Sequence, residues 1–288
     1  MVLFRLFYLY MFIYINKLMN VHSVSLIGLR NQNEDKHIAI LNGDGHNQKI
    51  APVNMFGVFD GHGGKEVSAF LHKHLPKCLV DARIPYPLKK SHISPAYNYI
   101  QDLLIKNYPE ISKHTGSTAC VAIHYVSNNF HYLTVINVGD SRCVLCRDNI
   151  GIVLSKDHKP HWPEEKARIE NTGGTIYFDG NDWRIKDLSV SRAFGDVDAT
   201  PCVTHVPDIF KYKLNKSDKF FILACDGLWD VATNQEIVNF VLTHCYDKKM
   251  NTRINKDINI ARKLADYALA KGSSDNITVI VVFMNWDV

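Results

Sequence analysis

Residues 55–64 read Met-Phe-Gly-Val-Phe-Asp-Gly-His-Gly-Gly, an apolar run that ends on Asp60 and Gly61. An uninterrupted apolar run of this length, bounded by glycine, is typical of a buried strand. The same arrangement occurs twice more in the chain: residues 221–225 lead into Asp226-Gly227, and residues 135–138 lead into Gly139-Asp140. The repetition predicts several buried strands that each end in an aspartate.

Acidic side chains also stand directly before two other predicted strands, as Glu34-Asp35 and as Asp275. One aspartate at a strand end is usually a turn former, but carboxylates gathered in a partly dry pocket are costly unless a cation joins them. Oxygen ligands without a cluster of cysteine or histidine favour hard ions such as Mg²⁺ or Mn²⁺. Two such ions about 3.5–4 Å apart can activate a water for in-line attack on phosphorus.

Hydrophobic periodicity predicts a mixture of strands and amphipathic helices. Strands are predicted over 23–29, 36–41, 55–59, 118–125, 131–138, 142–146, 220–225 and 276–283, and helices over 65–79, 97–108, 163–171, 235–244 and 259–271. We expect Pro76 to kink the first helix or end it early, and Pro95 to bound the second. Because the helices come in pairs rather than alternating with single strands, the order favours layered α+β over a doubly wound parallel sheet.

The chain has the composition of an ordinary globular protein, with 288 residues, of which 46% are hydrophobic and 22% are charged. After residue 20 there is no linker, repeat or sharp change of composition, which predicts a single domain over 21–288. The net charge of +4 is mild and the basic pairs, such as Lys89-Lys90, are isolated. This argues against a nucleic-acid-binding surface. Nothing indicates an oligomer interface, so we expect a monomer.

Residues 1–20 form a separate hydrophobic N-terminal extension. Its uninterrupted apolar part, residues 6–15, is about half as long as a membrane-spanning helix requires, and no small-residue cleavage site follows it. The extension is left open between a short anchor, a signal, a disordered extension and a false start with translation beginning at Met11 or Met19. We expect a cytoplasmic or nuclear protein, associated with a membrane only if residues 1–20 act as an anchor.

Seven cysteines are spread along the chain, and one close pair, Cys143 and Cys146, stands in a predicted strand. No second pair and no nearby pair of histidines completes a zinc site. Positions three apart in a strand face opposite sides, so these two cysteines are predicted to be small buried apolar residues. The irregular spacing fits a reducing compartment.

Nine short motifs, in order over nearly all of residues 23–283, resemble the protein phosphatase 2C family of metal-dependent Ser/Thr phosphatases. Any one motif is weak evidence, whereas nine in sequence are very specific. The motifs are Arg30-x-x-x-Glu34-Asp35, residues 58–64, Gly116-Ser117-Thr118-Ala119, residues 137–142, residues 156–160, Glu165-x-x-Arg168-Ile169, residues 191–196, residues 224–230 and residues 274–278.

The resemblance implies a four-layer α-β-β-α sandwich, in which two antiparallel sheets are flanked by helix pairs. It also implies hydrolysis of phosphoserine and phosphothreonine on phosphorylated protein substrates. Two Mg²⁺ or Mn²⁺ ions would hold a bridging hydroxide as the nucleophile, and a weaker third ion would bind near Asp140. A flap over about 158–188 would lie beside the cleft and tune the choice of substrate.

The resemblance also implies a role for each residue of the metal site. Asp60 would bridge the two main ions, the Gly61 carbonyl would bind the second ion, and Asp226 and Asp275 would complete the first ion. Glu34 and Asp35 would hold metal-bound waters, and Asp140 would help hold the third ion. Two further residues would be catalytic. Arg30 would clamp the substrate phosphate through its planar fork, and His62 would protonate the leaving oxygen. Outside these positions, His158 is predicted to organise a loop, while Arg192, Asp196 and Asp230 are left open between supporting the site and forming structural contacts.

Other enzyme classes fail on particular residues. A Walker A loop fails because Gly64-Lys65 is followed by Glu66, and a Ser hydrolase fails because no Gly-x-Ser-x-Gly elbow exists. No cysteine has an arginine six positions later, as a thiol phosphatase would need. The remaining alternative is a catalytically inactive, phosphatase-like binding or scaffold module. Such a protein would be expected to have lost metal carboxylates, all of which are present here.

Overall fold

The structure is a computed structural model that describes residues 19–41, 53–80, 84 and 86–286. The predicted extension over 1–20 therefore lies outside the described residues except for its last two. The strands are β1 Met19–Leu26, β2 Lys36–Ile40, β3 Asn54–Phe59, β4 Gly61–His62, β5 Gly116–Ser117, β6 Ala119–Ser127, β7 Phe130–Val138, β8 Arg142–Arg147, β9 Ile150–Val153, β10 Tyr177–Phe178, β11 Trp183–Arg184, β12 Phe194–Gly195, β13 Asp208–Lys213, β14 Asp218–Ala224 and β15 Ile277–Met284. The helices are α1 Glu66–Leu79, α2 Lys90–Asn107, α3 Ile111–His114, α4 Pro163–Asn171, α5 Asp226–Trp229, α6 Asn234–Cys245 and α7 Ile260–Ala270.

Two five-stranded sheets carry the fold. The strand order is β1-β15-β14-β8-β9 in the first sheet and β13-β7-β6-β3-β2 in the second. Every pairing between these strands is antiparallel. The α+β class with antiparallel sheets, predicted from the order of elements and from the resemblance, is confirmed.

The strand sequences are continuously apolar because both faces of each sheet are covered. Successive side chains of a strand point to opposite faces. In β14, Phe221 and Leu223 enter the cluster between the two sheets, while Phe220 and Ile222 enter a second cluster beneath helices. Between the sheets, the ring of Phe221 meets that of Phe56 edge-on, with centroids 5.4 Å apart.

Each sheet also packs on its own group of helices. Helices α6 and α7 cover the first sheet, and α1 and α2 cover the second. The four-layer order itself stays a prediction, which this distribution of apolar clusters favours. Cys143 and Cys146 are both fully buried and belong to different clusters, as predicted from their spacing. None of the helices within the described ranges is long and apolar enough to span a bilayer.

Two prolines lie inside helices, where the sequence predicts one to bound a helix and the other to kink a helix or end it early. Helix α2 begins at Lys90 rather than at Tyr97, so Pro95 lies inside it. The buried positions Ile93, Tyr97 and Ile100 continue one apolar stripe through the proline, and packing of this stripe outweighs the lost backbone hydrogen bond. Pro76 likewise lies inside α1 and does not end it early.

The first strand was placed too late by the sequence prediction. It covers Met19–Leu26, whereas 23–29 was predicted, because all eight of its residues pair with β15. The chain leaves the sheet before Gly28, which has a positive φ of 61°. Edge strands β9 and β13 were not predicted at all. Strand β13 mixes apolar residues with Lys211 and Lys213. Strand β9 is an apolar run of only four residues, with a glycine inside it and exposed residues at both ends.

The antiparallel registers bring the acidic strand ends together. Phe59 at the end of β3 pairs with Lys36 at the start of β2, so Asp60 meets the Glu34-Asp35 turn. In the first sheet, the end of β14 pairs near the start of β15, where Asp275 stands. One end of the two-sheet core therefore carries the carboxylates that the sequence singles out.

Candidate functional site

A cavity of about 300 Å³ opens at this end of the sheets. Eight of the nine predicted site residues line it: Arg30, Glu34, Asp60, Gly61, His62, Asp140, Asp226 and Asp275. The ninth, Asp35, lies just beneath, with a carboxylate oxygen in the same small cluster as one of Asp60. The structure thus brings together residues that are up to 245 positions apart in the sequence, as in the contact between Arg30 and Asp275.

The carboxylates form two overlapping clusters centred on Asp60. One oxygen each from Asp60, Asp140 and Asp226 lie within 4.8 Å of one another, and a second such group joins Asp60 to Asp35 and the Cys225 sulfur. Burial, followed by the repulsion of neighbouring carboxylates, raises the pKa of Asp60 and Asp226 well above the ordinary value. Such a cluster is held at high electrostatic cost unless positive charge enters it.

Asp35 is a deeply buried carboxylate beside Asp60 and Cys225. Its side chain is only 2% exposed, and within the described residues neither carboxylate oxygen has a hydrogen-bonding partner. Burial raises the pKa of this carboxyl above its usual range. A cation with its coordinated waters would satisfy the two unpaired oxygens of this buried carboxylate.

Backbone contacts fix the position of Asp60 at the end of β3. Its N–H donates to Thr118 Oγ1 at 3.1 Å, and its carbonyl accepts from the Thr118 N–H at 2.8 Å. The next residue, Gly61, packs so closely that a Cβ there would overlap the Glu34 carbonyl. Glycine is therefore required for the β2 entry turn to reach the site.

Asn276 ties the Arg30–Asp35 loop to the start of β15. Its side-chain oxygen accepts from the Glu34 N–H at 2.8 Å, and its amide donates to the carbonyls of Ile27 and Gln32. Asn276 lies in one of the nine motifs, but its position there predicts no role for it. At the rim of the cavity, Arg30 Nη2 donates to Asp275 Oδ2 at 2.7 Å.

His62 is held by the carboxylate of Asp196, a residue whose role the sequence leaves open. Its Nε2 lies 2.7 Å from Asp196 Oδ2, and the Asp196 side chain is only 2% exposed. Burial alone lowers the pKa of His62, but the charge of Asp196 and their hydrogen bond outweigh it, so the pKa is raised. A Cβ on Gly116 would overlap both side chains, so glycine is needed where this pair meets.

A lysine already stands beside Asp140. Lys159 Nζ forms an ion pair with the Asp140 carboxylate. Burial alone lowers the pKa of Lys159, but Asp140 and Asp226 outweigh it and raise the pKa. Asp230 also faces this group, and burial raises the pKa of its carboxyl. Lys159 therefore supplies part of the positive charge at this edge of the acidic cluster.

His158 and Arg192 have structural contacts instead. His158 is fully buried and accepts from the Gly139 N–H through Nδ1 at 3.0 Å, so it organises the loop before Asp140, as predicted. Arg192 binds Glu165 and Asp208, which favours the structural alternative left open for it. Although burial raises the pKa of Glu165, hydrogen bonds from two arginines outweigh it and lower the pKa to about 2.

The predicted flap borders the cavity. Helix α4 and the hairpin β10–β11 fall within 158–188, and Ile169 and Ile185 join a small apolar cluster of their own. Arg184, Asp187 and Leu188 line the cavity from this side.

Comparison with known proteins gives the same assignment. A sequence profile described as protein phosphatase 2C matches residues 19–277. A PP2C-like domain-containing protein of Acanthamoeba polyphaga mimivirus is 51% identical over 169 residues, covering 53% of this chain and 94% of the viral protein. A probable protein phosphatase 2C 69 of Arabidopsis thaliana is 40% identical over 240 residues, covering 83% of this chain and 63% of the plant protein. The chain thus spans less than two thirds of that relative.

Solved structures share the fold over most of the chain. A C. elegans sex determining protein superimposes with a TM-score of 0.80 and 26% identity, over 93% of this chain and 65% of that one. A phosphatase from a pathogenic strain of Toxoplasma gondii has a TM-score of 0.76 at 23% identity, over 93% of both chains. The sequence motifs, the sheet topology and the profile match agree, and the chain belongs to the protein phosphatase 2C family.

Proposed function

We propose that this protein hydrolyses phosphoserine and phosphothreonine on other proteins with the help of two Mg²⁺ or Mn²⁺ ions. One observation carries the proposal: carboxylates from separate stretches of the chain converge on Asp60, with oxygens of Asp60, Asp140 and Asp226 within 4.8 Å of one another. Chemistry on phosphate monoesters demands very large accelerations, up to about 10²¹-fold, and paired divalent ions supply it without a covalent intermediate.

The residues present fit hard divalent cations. The donor set is carboxylate oxygen with a nearby backbone carbonyl at Gly61, which suits Mg²⁺ or Mn²⁺. The unpaired oxygens of Asp35 and the raised pKa values of Asp60 and Asp226 both favour a cation between these carboxylates, because a positive charge there would stabilise their ionised forms. We assign Asp60, Gly61, Asp226 and Asp275 to direct ligation, and Glu34 and Asp35 to holding coordinated water. A third ion beside Asp140 stays a prediction, since Lys159 already neutralises part of this edge.

When bound, such ions polarise a phosphoryl oxygen and lower the pKa of water toward neutrality. The chain's own residues do the rest. Arg30 lies at the rim, where its guanidinium can bind two phosphate oxygens at once. His62 lines the same cavity and, held by Asp196, can donate a proton to the departing serine or threonine oxygen. The flap residues Arg184 and Asp187 would contact the substrate chain next to its phosphate.

The direct test is phosphate release from a phosphoserine peptide, with Mn²⁺ and with excess chelator. We expect turnover that requires the cation and returns when Mn²⁺ is restored. Turnover that survives chelation would refute the metal-dependent reaction. An absence of turnover at every Mn²⁺ concentration would instead favour an inactive binding or scaffold module.

The burial of the carboxylates predicts a pH-dependent stabilisation by metal. The pKa values of Asp60 and Asp226 are raised well above 3.8 in the folded state. Without cations, the folded protein therefore loses stability as the pH rises from about 3.8 through these raised pKa values, because the buried carboxyls must then lose their protons. A cation offsets this penalty. At a fixed concentration of about 100 times its Kd at neutral pH, Mn²⁺ should raise the melting temperature by about 5–10 °C near neutral pH. At about pH 5 the same concentration should raise it by less, because protonation weakens metal binding. Equal shifts at both pH values would contradict the account, and calorimetry at two pH values measures it.

Replacing Asp196 by asparagine should change the pH dependence of turnover. The variant removes the charge that raises the pKa of His62. Because a general acid must be protonated, the basic limb of the rate profile should move to lower pH by about 1 unit or more. The readout is kcat/KM for a phosphoserine peptide between about pH 6 and 9.

Asp198→Asn is the matched control, because Asp198 is half-exposed and pairs only loosely with His114, at 3.5 Å. Its profile should follow that of the wild type. A uniform loss of rate in Asp196→Asn, with an unmoved basic limb, would show that Asp196 only supports the fold.

A further inference from the structure

A second cavity, larger than the one at the carboxylates, lies away from the carboxylate cluster. It has a volume of about 540 Å³ and is found where β14 begins and β15 ends. Its lining residues are Lys216, Asp218, Lys219, Tyr246, Asn251, Thr252, Arg253, Lys256, Met284, Asn285 and Trp286. The catalytic cavity lies at the opposite end of β14, about 20 Å away for a seven-residue strand.

Positive charge dominates this second cavity. Four cationic side chains line it: Lys216, Lys219, Arg253 and Lys256. Over the described ranges, none of these four forms an ion pair with a carboxylate. The cavity therefore has a net positive charge that the described part of the chain leaves uncompensated.

The one acidic residue among the lining residues is already neutralised. Both oxygens of the buried Asp218 carboxylate accept from Arg147, at 2.6 and 3.0 Å, and one also accepts from the Asn215 N–H. Asp247, in the adjoining loop, is likewise engaged, since its Oδ1 accepts from the backbone of Asn251 and Thr252. Neither carboxylate is free to balance the lysines.

Arg253 lies in the wall of this cavity and carries a charge that no described carboxylate pairs with. Its guanidinium carbon lies over the Phe283 ring, 3.5 Å from the centroid, and one terminal nitrogen donates to Asn20. Its Nε is buried and, within the described structure, has no hydrogen-bond acceptor. The nitrogen that donates to Asn20 also contacts His22 Nε2 at 3.3 Å. These described partners are neutral, so they do not cancel the charge of the guanidinium, and an anion in the cavity beside it would be stabilised.

Lys219 is similarly placed. Its ammonium donates to two neutral oxygens, Asn149 Oδ1 at 2.6 Å and the Met250 carbonyl, and it lies 5.3 Å from the centroid of the Tyr246 ring. These contacts fix the ammonium in place but do not cancel its charge. Lys216 and Lys256 are exposed at the mouth, where they can turn toward a bound anion.

We propose that this cavity binds a small molecule that carries two or more phosphoryl groups. An arginine together with several lysines is a side-chain set that recognises phosphoryl oxygens. A single phosphate would leave most of the charge and most of the 540 Å³ unused, whereas the volume suits a small-molecule ligand. The aromatic walls of Tyr246 and Trp286 can pack on an attached ring. This site is separate from the phosphate position proposed at the carboxylates.

The test is isothermal titration calorimetry of the full chain with inorganic tripolyphosphate. The protein is kept metal-free and carries Asp60→Asn, so that the carboxylate cavity does not bind the probe through cations. We expect saturable binding of one tripolyphosphate per chain. Lys216→Met with Lys256→Met should weaken it by about tenfold, since each charged contact contributes appreciably, and both residues are exposed, so folding should be unaffected.

Arg253→Lys serves as the second variant, because it keeps the charge and removes the fork. It should also weaken binding, and its melting curve reports whether it folds. The matched control is Lys89→Met with Lys90→Met. These two lysines are exposed at the start of α2, and their replacement removes the same charge at a distance from the cavity. Unchanged affinity in this control, with weakened affinity in the two cavity variants, supports the site.

Adenosine triphosphate as a second probe distinguishes the source of the phosphoryl groups. Tighter binding than tripolyphosphate identifies a nucleotide as the ligand, and equal binding identifies the polyphosphate itself. The proposal is overturned if tripolyphosphate does not bind saturably, or if the control pair weakens binding as much as the cavity variants.

Discussion

Replacing Asp60 by asparagine should reduce turnover of a phosphoserine peptide by about 10³-fold or more. A bound cation contributes several kcal/mol of transition-state stabilisation, and each 1.36 kcal/mol is about tenfold in rate. Asp60 is the residue common to both carboxylate groups, so its loss should affect every cation that they hold. The readout is kcat/KM at saturating Mn²⁺.

The fold should survive this substitution. Asparagine has nearly the same shape, and the variant removes a buried charge whose pKa is raised well above its ordinary value. Without metal, the melting temperature at neutral pH should therefore not fall. Asp148→Asn is a suitable control, because Asp148 lies in the β8–β9 turn with a positive φ that asparagine tolerates. Near-normal turnover in Asp60→Asn would refute the assignment of Asp60.

Replacing His62 by glutamine should damage turnover in a way that depends on the leaving group. Serine and threonine alkoxides are poor leaving groups and need a proton, so a phosphoserine peptide should lose about 10²-fold or more. A p-nitrophenyl ester leaves readily without protonation and should lose much less. The ratio of the two defects measures proton donation separately from binding.

His72→Gln is the control for this experiment, because His72 is exposed on α1 and hydrogen-bonds the His37 carbonyl rather than a site residue. Both substrates should behave as with the wild type. Equal defects on the two substrates in His62→Gln would remove the general-acid role and leave a positioning role.

Much of the fold could be predicted because its strands are buried on both faces. The apolar runs that end at Phe59 and Ala224 are unambiguous in the sequence, and their burial is complete. Edge strands such as β13, with Lys211 and Lys213 turned outward, contain no such run. Tertiary packing also overruled local propensity at Pro95, because the buried stripe of α2 extends across it.

The candidate site was predictable in its carboxylates and less so in their supports. An aspartate beside a glycine at each strand end is visible in the sequence, and Asp60, Asp140 and Asp226 do meet. The pairing of His62 with Asp196 joins residues 134 positions apart, and no local pattern connects them. Asn276 lies in one of the nine motifs, but its hydrogen bonds to Ile27, Gln32 and Glu34 depend on tertiary geometry.

Electron paramagnetic resonance during a Mn²⁺ titration tests the shared cation site most directly. The account predicts that the wild type binds two Mn²⁺ ions close enough for their spins to couple, and that Asp60→Asn abolishes the coupled signal while its fold persists. A wild-type protein that turns over phosphoserine peptide with no Mn²⁺ bound, or with a single uncoupled ion, would contradict it.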